Sequence, residues 1–521
     1  MRLTSLPLRA VLLLAATMFL GVQAATKDQW RKRSVYQLLS DRFAPVSSTA
    51  PALTPNLPTK CTTGGRKYCG GTWRSIIDRL GYIQGMGFDA IWISPVHQTL
   101  EGTTPYGEAY HGYWVTDIHK LNSHFGTSND LKALSKAVHD RGMYLMVDIV
   151  VNFAASLSTD TSEAALRAQN VTFTKPDHYH PFCWIDYGSQ DSIERCWMGD
   201  DKVALMDLNT ENTYVQDTLN QMIKALVQEY QIDGLRIDAA KHVPKPFWTK
   251  FCGSAGVFCT GEAYSGETAL VADYQNSKSL DSLLNYPAFF NGVKNAFQVP
   301  GRANMKDLAT AMTTGVSQFS DPGVLFNFIA NHDVSRLRSV TASDSVAKNA
   351  LVWQFMWDGI PSWYYGEEQE ISSGLSDPDQ RQALWATGNG GYSRETKTYK
   401  RLQKLNTLRK FLMSGNVKVV SGTPSYSNEK VNVILSSTAD LVFIKGPVIV
   451  VVNNRVSLNG TVAVNLPASV SSSRFQEGLY DVLSCRKITL SANRTLTRTT
   501  TDPMVMMTRV NAVGSTLCPG L

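Results

Sequence analysis

A chain of 521 residues is too long for a single hydrophobic core and reads as two or three domains, one of which can be a large α/β barrel. Lys+Arg number 50 against 44 Asp+Glu, a net charge of +6 that is small for this length. No basic run or stripe stands out, which argues against nucleic acid as a partner.

At the N-terminus, Arg2 and Arg9 precede an apolar run from Ala10 to Val22, followed by the small residues Ala24 and Ala25. This is the pattern of a secretory signal peptide covering residues 1–24. The run is too short to span a bilayer, and no later segment is long and apolar enough to do so. The last residues, Cys518–Pro519–Gly520–Leu521, carry no hydrophobic tail of a lipid-anchor signal. The expected location is extracellular, with attachment to a cell wall left open. Eight cysteines suit an oxidising compartment. They allow about 105 pairings. Locality suggests Cys61–Cys69, Cys183–Cys196, Cys252–Cys259 and Cys485–Cys518, and no Cys-x-x-Cys knuckle supports zinc instead. Acceptor sequons at Asn170, Asn459 and Asn493 accord with secretion, although each alone also arises by chance.

Ser34 to Leu38 reads as the first strand, followed by Asp41–Arg42–Phe43 and a Pro/Thr-rich loop. A helix is predicted from Ser75 to Met86, and an apolar strand from Phe88 to Ile93, stopped by Ser94–Pro95. An aromatic loop, Tyr106 to Trp114, comes next. A helix from Leu131 to Arg141 has Asn129 or Asp130 as candidate N-cap. The strand Tyr144 to Val151 carries Asp148 and is followed by Asn152. Residues 152–208 break the rhythm, being irregular, polar and aromatic, and read as an inserted subdomain. Alternation then resumes with a helix over 215–230 and strands over 234–238, 257–261, 281–284 (weaker) and 324–329. A further helix and strand end at Pro361–Ser362–Trp363–Tyr364–Tyr365. The strand count approaches the eight of a closed (β/α)8 barrel rather than an open doubly wound sheet. The barrel is thus assigned to residues 25–151 and 209–414. From about Gly415 short strands alternate with turns and helix signals vanish, so residues 415–521 are expected to form an all-β sandwich domain.

Three carboxylates follow predicted strand ends: Asp238, Glu262 and Asp333. The C-terminal rim of a parallel barrel is where reacting groups collect. Two carboxyls facing one bond suit glycosidic cleavage, one attacking or activating water and the other donating a proton. Arg236 lies two residues before Asp238 and so on the same strand face. Taken alone, the two could simply pair to hold a strand end. With the other carboxylates present, Arg236 is expected to keep Asp238 ionised as nucleophile, leaving Glu262 as the acid. Aromatic faces for sugars are offered by Tyr110, His111, Tyr113, Trp114, Trp184 and Tyr187.

These residues reach a family. The segments Ala109–Tyr110–His111–Gly112–Tyr113–Trp114, Asp148–Ile149–Val150–Val151–Asn152, Gly234 to His242, Gly261–Glu262–Ala263 and Phe328 to Asp333 together resemble the α-amylase family of glycoside hydrolases, above all the secreted fungal α-amylases. The resemblance implies Asp238 as nucleophile, Glu262 as general acid/base and Asp333 as transition-state stabiliser. It implies Arg236, His332, Tyr113, His111 and Trp114 as substrate-contacting or site-orienting residues, Lys241 and His242 on the leaving-group side, and Asp377 with Arg381 on the donor side. It also implies a barrel with an insertion after its third strand and a C-terminal β-sandwich. A structural calcium ion is implied at Asn152, Glu194, Asp207 and the carbonyl of His242, all oxygen donors as a hard cation prefers. The substrate implied is an α-1,4-glucan, and the protein is expected to act as a monomer.

The sequence departs from the family at three places. Phe153 stands where a His that hydrogen-bonds the sugar is usual, Ala330 where Glu is usual, and Ala263–Tyr264–Ser265 where an apolar–apolar–acidic run is usual. Some fungal relatives without that His transfer glucan chains. The leading expectation is therefore a retaining α-1,4-glucan endo-hydrolase. The alternative is a 4-α-glucanotransferase on the same machinery. A weakly active glucan-binding wall protein is a third reading, opposed by the intact set of carboxylates.

Overall fold

The computed structural model describes residues 24–45, 61, 63–169, 171–299, 303–387, 391–417, 426–427, 429–466, 478–491, 494–519 and 521. The signal-peptide reading and the sequons at Asn170 and Asn493 lie outside the described residues; Asn459 is exposed.

Eight parallel strands form the principal sheet: β1 (Val35–Leu38), β2 (Ala90–Ile93), β3 (Tyr144–Ile149), β4 (Gly234–Ile237), β5 (Phe258–Gly261), β6 (Ser282–Leu283), β7 (Phe326–Asn327) and β8 (Ile360–Tyr364). Their order is β6-β5-β4-β3-β2-β1-β8-β7. A parallel bridge between Leu284 and Phe326 joins the two outer members, so the sheet closes on itself. The register places Asp148 beside Arg236 and Thr260 beside Arg236 on the other side. The strands are short and, apart from Tyr144 at the start of β3, buried throughout, as expected where helices cover a parallel sheet. Connecting helices include Trp73–Gly85, Ser128–His139, Thr213–Tyr230, Lys245–Ala255 and Asp344–Met356. Under the barrel, Trp30 is completely buried and packs against Phe258. Gly234 is required there, because a Cβ at that position would meet the Trp30 ring at 2.7 Å.

Several expected boundaries shift. The strand expected over 324–329 is only Phe326–Asn327, because Pro322 opens a 3-10 turn immediately before it. Asp333 therefore stands on a turn rather than at a strand end. The helix expected from Leu131 starts at Ser128, and its cap is Thr127, not Asn129 or Asp130. Asp130 is instead the reciprocal partner in a capping box, its Oδ2 accepting from the Thr127 N–H at 2.8 Å.

Between β3 and Thr213–Tyr230, the segments Phe153–Ser156, Met198–Gly199 and Ala204–Asp207 form a small antiparallel sheet. Phe153 pairs with Asp207 in it. Toward the C-terminus, β9 (Asn432–Ser436), β10 (Asp440–Lys445), β11 (Val448–Asn453), β12 (Leu479–Asp481), β13 (Arg486–Ile488) and β14 (Met504–Thr508) make an antiparallel sheet in the order β9-β10-β11-β14-β12-β13. Val462–Asn465 pairs with Thr495–Arg498 in a second layer. Valines and isoleucines of β10 and β11 alternate between the two faces of the larger sheet. Helix signals do not vanish there entirely, since Arg509–Gly514 is helical and packs against β12 and β14. The sheet docks on the barrel through Asn349, whose Oδ1 accepts from the Asn453 backbone at 2.8 Å, and through the buried pair Lys445–Asp358 at 2.7 Å.

All four cysteine pairs suggested by locality are bonded: Cys61–Cys69, Cys183–Cys196, Cys252–Cys259 and Cys485–Cys518. No helix among the described residues is long and apolar enough to cross a membrane.

Candidate active site

The site is built from the ends of β3, β4 and β5 and the turn after β7. Arg236 on β4 is wholly buried. Its Nη1 donates to Asp148 Oδ1 at 2.9 Å and to Asp238 Oδ1 at 2.6 Å, while its Nη2 lies 3.0 Å from Glu262 Oε2. One guanidinium therefore serves carboxylates from three adjacent strands. Ala239 adopts the left-handed region at φ 49°, which turns its N–H onto Glu262 Oε2 at 3.1 Å. The small side chain keeps that strained position tolerable.

Burial pushes the Asp238 carboxyl well above the usual range; Arg236 pulls it down, and the charges of Glu262 and Asp148 push it further up. Burial also raises Asp148 to about 6, against the same guanidinium. Burial therefore works against ionisation of both Asp148 and Asp238, while the guanidinium they share works for it. The expected contact of Arg236 with Asp238 is made, and its charge opposes the effect of burial on that carboxyl. Asp148 is further held by Tyr113 Oη–H at 2.9 Å and Trp92 Nε1–H at 3.1 Å.

Glu262 has a second support absent from the sequence reading. The Tyr286 hydroxyl donates to its Oε1 at 3.3 Å, and Asn331 Nδ2 donates to the Tyr286 oxygen at 3.0 Å. Asn331 Oδ1 in turn accepts from the N–H of Asp333 at 2.8 Å and of Val334 at 3.0 Å, which forms the turn that presents Asp333. His332 stacks on Tyr113 with centroids 5.1 Å apart. Gln37 Nε2 donates to His332 Nδ1 at 2.7 Å, so the ring proton sits on Nε2, 3.0 Å from Asp333 Oδ2. Burial, with Arg236 and Arg381 nearby, holds His332 well below its ordinary range and hence neutral. Arg381 binds the other Asp333 oxygen at 3.2 Å and reaches Asp377 at 3.2 Å.

These groups surround a cavity of about 650 Å³. Asp238, Glu262, Asp333, His111, Tyr113, Trp114, Lys241, His242, His332, Asp377 and Arg381 all line it, while Arg236 lies beneath, holding the carboxylates. Of the aromatic residues named from sequence, Tyr187 lines it too. Tyr110 does not; it is buried against the Arg42 guanidinium at 3.8 Å. Trp184 also lies outside the lining. Phe153, Met198 and Leu205 give one wall an apolar character. On the Lys241 side, its ammonium donates to the Tyr264 carbonyl at 3.0 Å, and both ring nitrogens of His242 lack a partner among the described residues.

The proposed cation site can be tested on its oxygens. One terminal atom of the Asn152 amide stands 2.9 Å from the His242 carbonyl oxygen and 3.0 Å from Asp207 Oδ1. Read as nitrogen, that atom donates to both. Read as oxygen, it makes three oxygens converge, which is the demand of a hard cation. In that orientation the three oxygens are of the kind calcium takes, and they make up part of the shell it needs. Glu194 lies on the helix Gln190–Arg195, which packs against the Ala240–His242 turn, and its Oε1 accepts from Gln190 Nε2 at 2.7 Å.

A barrel carrying carboxylates at its C-terminal rim around a cleft of this size is the architecture of a glycoside hydrolase. The family model "Alpha amylase, catalytic domain" matches residues 37–407. The chain is 38% identical to an alpha-amylase of Saccharomycopsis fibuligera over 485 residues, 93% of each chain. It is 40% identical to alpha-amylase 2 of Schwanniomyces occidentalis over 473 residues, covering 90% of this chain and 88% of that one. A solved alpha-amylase from Malbranchea cinnamomea superposes with a TM-score of 0.84 at 38% identity, covering 95% of this chain and all of the other. The chain belongs to the α-amylase family and is a glycoside hydrolase of the α-amylase type.

Proposed function

We propose that the protein is a secreted, retaining α-1,4-glucan endo-hydrolase acting on starch- or glycogen-type chains. The observation that carries this reading is the bridge from one Arg236 guanidinium to both Asp238 and Glu262, at 2.6 and 3.0 Å. Two carboxyls sharing one guanidinium suit the close pair of a double displacement better than the wider pair that leaves room for water. Asp238 attacks the anomeric carbon, forming a glycosyl ester as the C1–O bond breaks. Glu262 gives its proton to the leaving oxygen and becomes a carboxylate. It then takes a proton from water, whose oxygen displaces Asp238. Asp333, braced by Arg381 and His332, offers negative charge to the oxocarbenium-like transition state. Calcium, held by Asn152, Asp207 and the His242 carbonyl, would tie the inserted sheet to the rim and so fix the His242 turn. The apolar leader and the bonded cysteines support an extracellular enzyme.

A second reading is favoured by Phe153. Its ring lines the cavity with Met198 and Leu205, an apolar wall that disfavours water and leaves the glycosyl ester to a sugar hydroxyl. Maltoheptaose discriminates between the two. Short products with matching reducing-end release support hydrolysis, whereas oligosaccharides longer than seven units in excess of that release make the protein a 4-α-glucanotransferase.

A further inference from the structure

Most of the tryptophans are buried, many of them completely. Trp184 is the one exposed outright, at 40%, and it stands beside Phe182 at 49% and Tyr187 at 62%. Isolated exposed aromatics are ordinary, but three within six residues of one loop form a patch. The loop is not loose. Cys183 is bonded to Cys196, the Trp197 N–H donates to the Cys183 carbonyl at 2.7 Å, and Trp184 bridges backbone to backbone with Trp197. Phe182 is wedged edge-on between Trp184 and the buried Trp197, at centroid distances of 4.9 and 5.1 Å. The exposed rings are therefore held in place before any ligand arrives, which lowers the entropic cost of binding.

The patch also continues from the cleft. Tyr187, three residues beyond Trp184, lines the cavity below the Lys241 ammonium, which lies 5.3 Å from its ring. Met198, which follows the bridged Trp197, lines the same cavity. Nearby charge on the loop is mostly acidic, with Asp186, Asp191 and Glu194 against Arg195, so an anionic lipid surface is a poor fit. Three rings fall well short of the roughly 800 Å² per partner that a stable protein dimer buries. A neutral chain with apolar faces, continuous with what the cleft holds, fits best.

We propose that Trp184 and Phe182 form an outer aromatic platform that binds a glucan chain where it leaves the cleft on the Lys241 side. Pyranose C–H faces stack on the exposed rings, so the platform adds affinity for long chains and none for short ones. This rests on the reading of the substrate as an α-glucan. The test uses the full-length enzyme, Trp184→Ala and Phe182→Ala, with soluble amylose retardation in native gels and kcat/KM on maltotetraose. The expected result is about tenfold weaker amylose retention with maltotetraose turnover unchanged, a loss equivalent to ~1.4 kcal/mol. Equal losses on both substrates would place the rings in the cleft or the fold and overturn the platform, as would retention equal to wild type. A concentration-dependent dimer in sedimentation that both variants abolish would instead assign the patch to a second copy. Failure of the wild-type enzyme to bind amylose at all would refute the substrate reading itself, a separate outcome.

Discussion

Asp148 and Arg236 meet across neighbouring strands at 2.9 Å, with neither side chain exposed. Asp148 is not a reacting group in the proposed mechanism. It supplies the charge that fixes the guanidinium from behind, while Asp238 and Glu262 take the guanidinium's cavity side. Asn keeps the shape but loses the charge, leaving Asp238 and Glu262 to hold the guanidinium. Asp148→Asn should lower the unfolding free energy by roughly 1.5–3 kcal/mol, the scale of a hydrogen bond to a charged group. Urea denaturation checks it; a loss under 1 kcal/mol would show that Arg236 is held adequately without it.

Glu262→Gln removes the transferable proton but keeps the shape that accepts from Ala239. Glucan turnover should fall by about 10²–10⁴-fold, the usual contribution of a general acid. Glycosyl fluoride, whose leaving group needs no proton, should still form the ester, visible by mass spectrometry of the intact protein. Asp238→Asn should abolish both reactions. Ester formation on Asp238→Asn would move the nucleophile elsewhere.

Phe153 faces the cavity from the inserted sheet. Phe153→His places a donor at that wall, and the ratio of hydrolysis to transfer on maltoheptaose should rise several-fold. An unchanged ratio would remove Phe153 from any role in choosing the acceptor.

His97 is fully buried, and neither ring nitrogen has a hydrogen-bond partner. Burial, reinforced by His119 and opposed by Asp117, lowers it to about 4. The unfolded chain titrates near ~6.5 and so binds the proton first as pH falls. Stability from this site is full above that pH and is lost between about 6.5 and 4, by on the order of 3 kcal/mol. His97→Gln should flatten the acid side of a melting-temperature profile across that window. A profile as steep as wild type would show that other groups govern acid sensitivity.

Chelation tests the cation site. With calcium at a hundredfold excess over its Kd, stabilisation of about 2.7 kcal/mol is expected, reversed by a chelator and restored by calcium but not by magnesium. Asp207→Asn should erase the difference. A melting curve indifferent to chelation would assign the Asn152 amide to its two hydrogen bonds and no metal.

The sequence carried the barrel through local signals, since apolar strands alternating with amphipathic helices need only a short window to be recognised. The reacting carboxylates were legible for the same reason: charges at buried strand ends are costly unless used. What escaped was long-range. Gln37 sets the tautomer of His332 from 295 residues away, and Tyr286 supports Glu262 from the short helix Tyr286–Ala288. Nothing in a window around Glu262 names that tyrosine. Asp333 was placed at a strand end because its approach is apolar, but Pro322 and the Asn331 side chain turn the segment instead. Trp184 was assigned to the cleft by its loop, and loops do not reveal which way a ring faces. The residues implied for a cation, Asn152, Glu194, Asp207 and His242, lie far apart in the chain and were accessible only by resemblance.

The closure of the barrel carries one more consequence. β6 and β7 contribute two residues each, and a single backbone bridge joins them. Side chains do the rest of the fastening: Ser282 Oγ donates to the Val324 carbonyl at 2.6 Å, and Asn285 Nδ2 donates to Asn327 Oδ1 at 2.8 Å. A ladder of amides is the same whatever the sequence, but this clasp is spelled in replaceable residues. Tyr286 and Asn331 follow its two halves, so the tightness of the clasp reaches Glu262 and Asp333 directly. Adaptation to heat or cold can therefore be written at Ser282, Asn285 and Asn327, adjusting how far the ring breathes without altering a single reacting group.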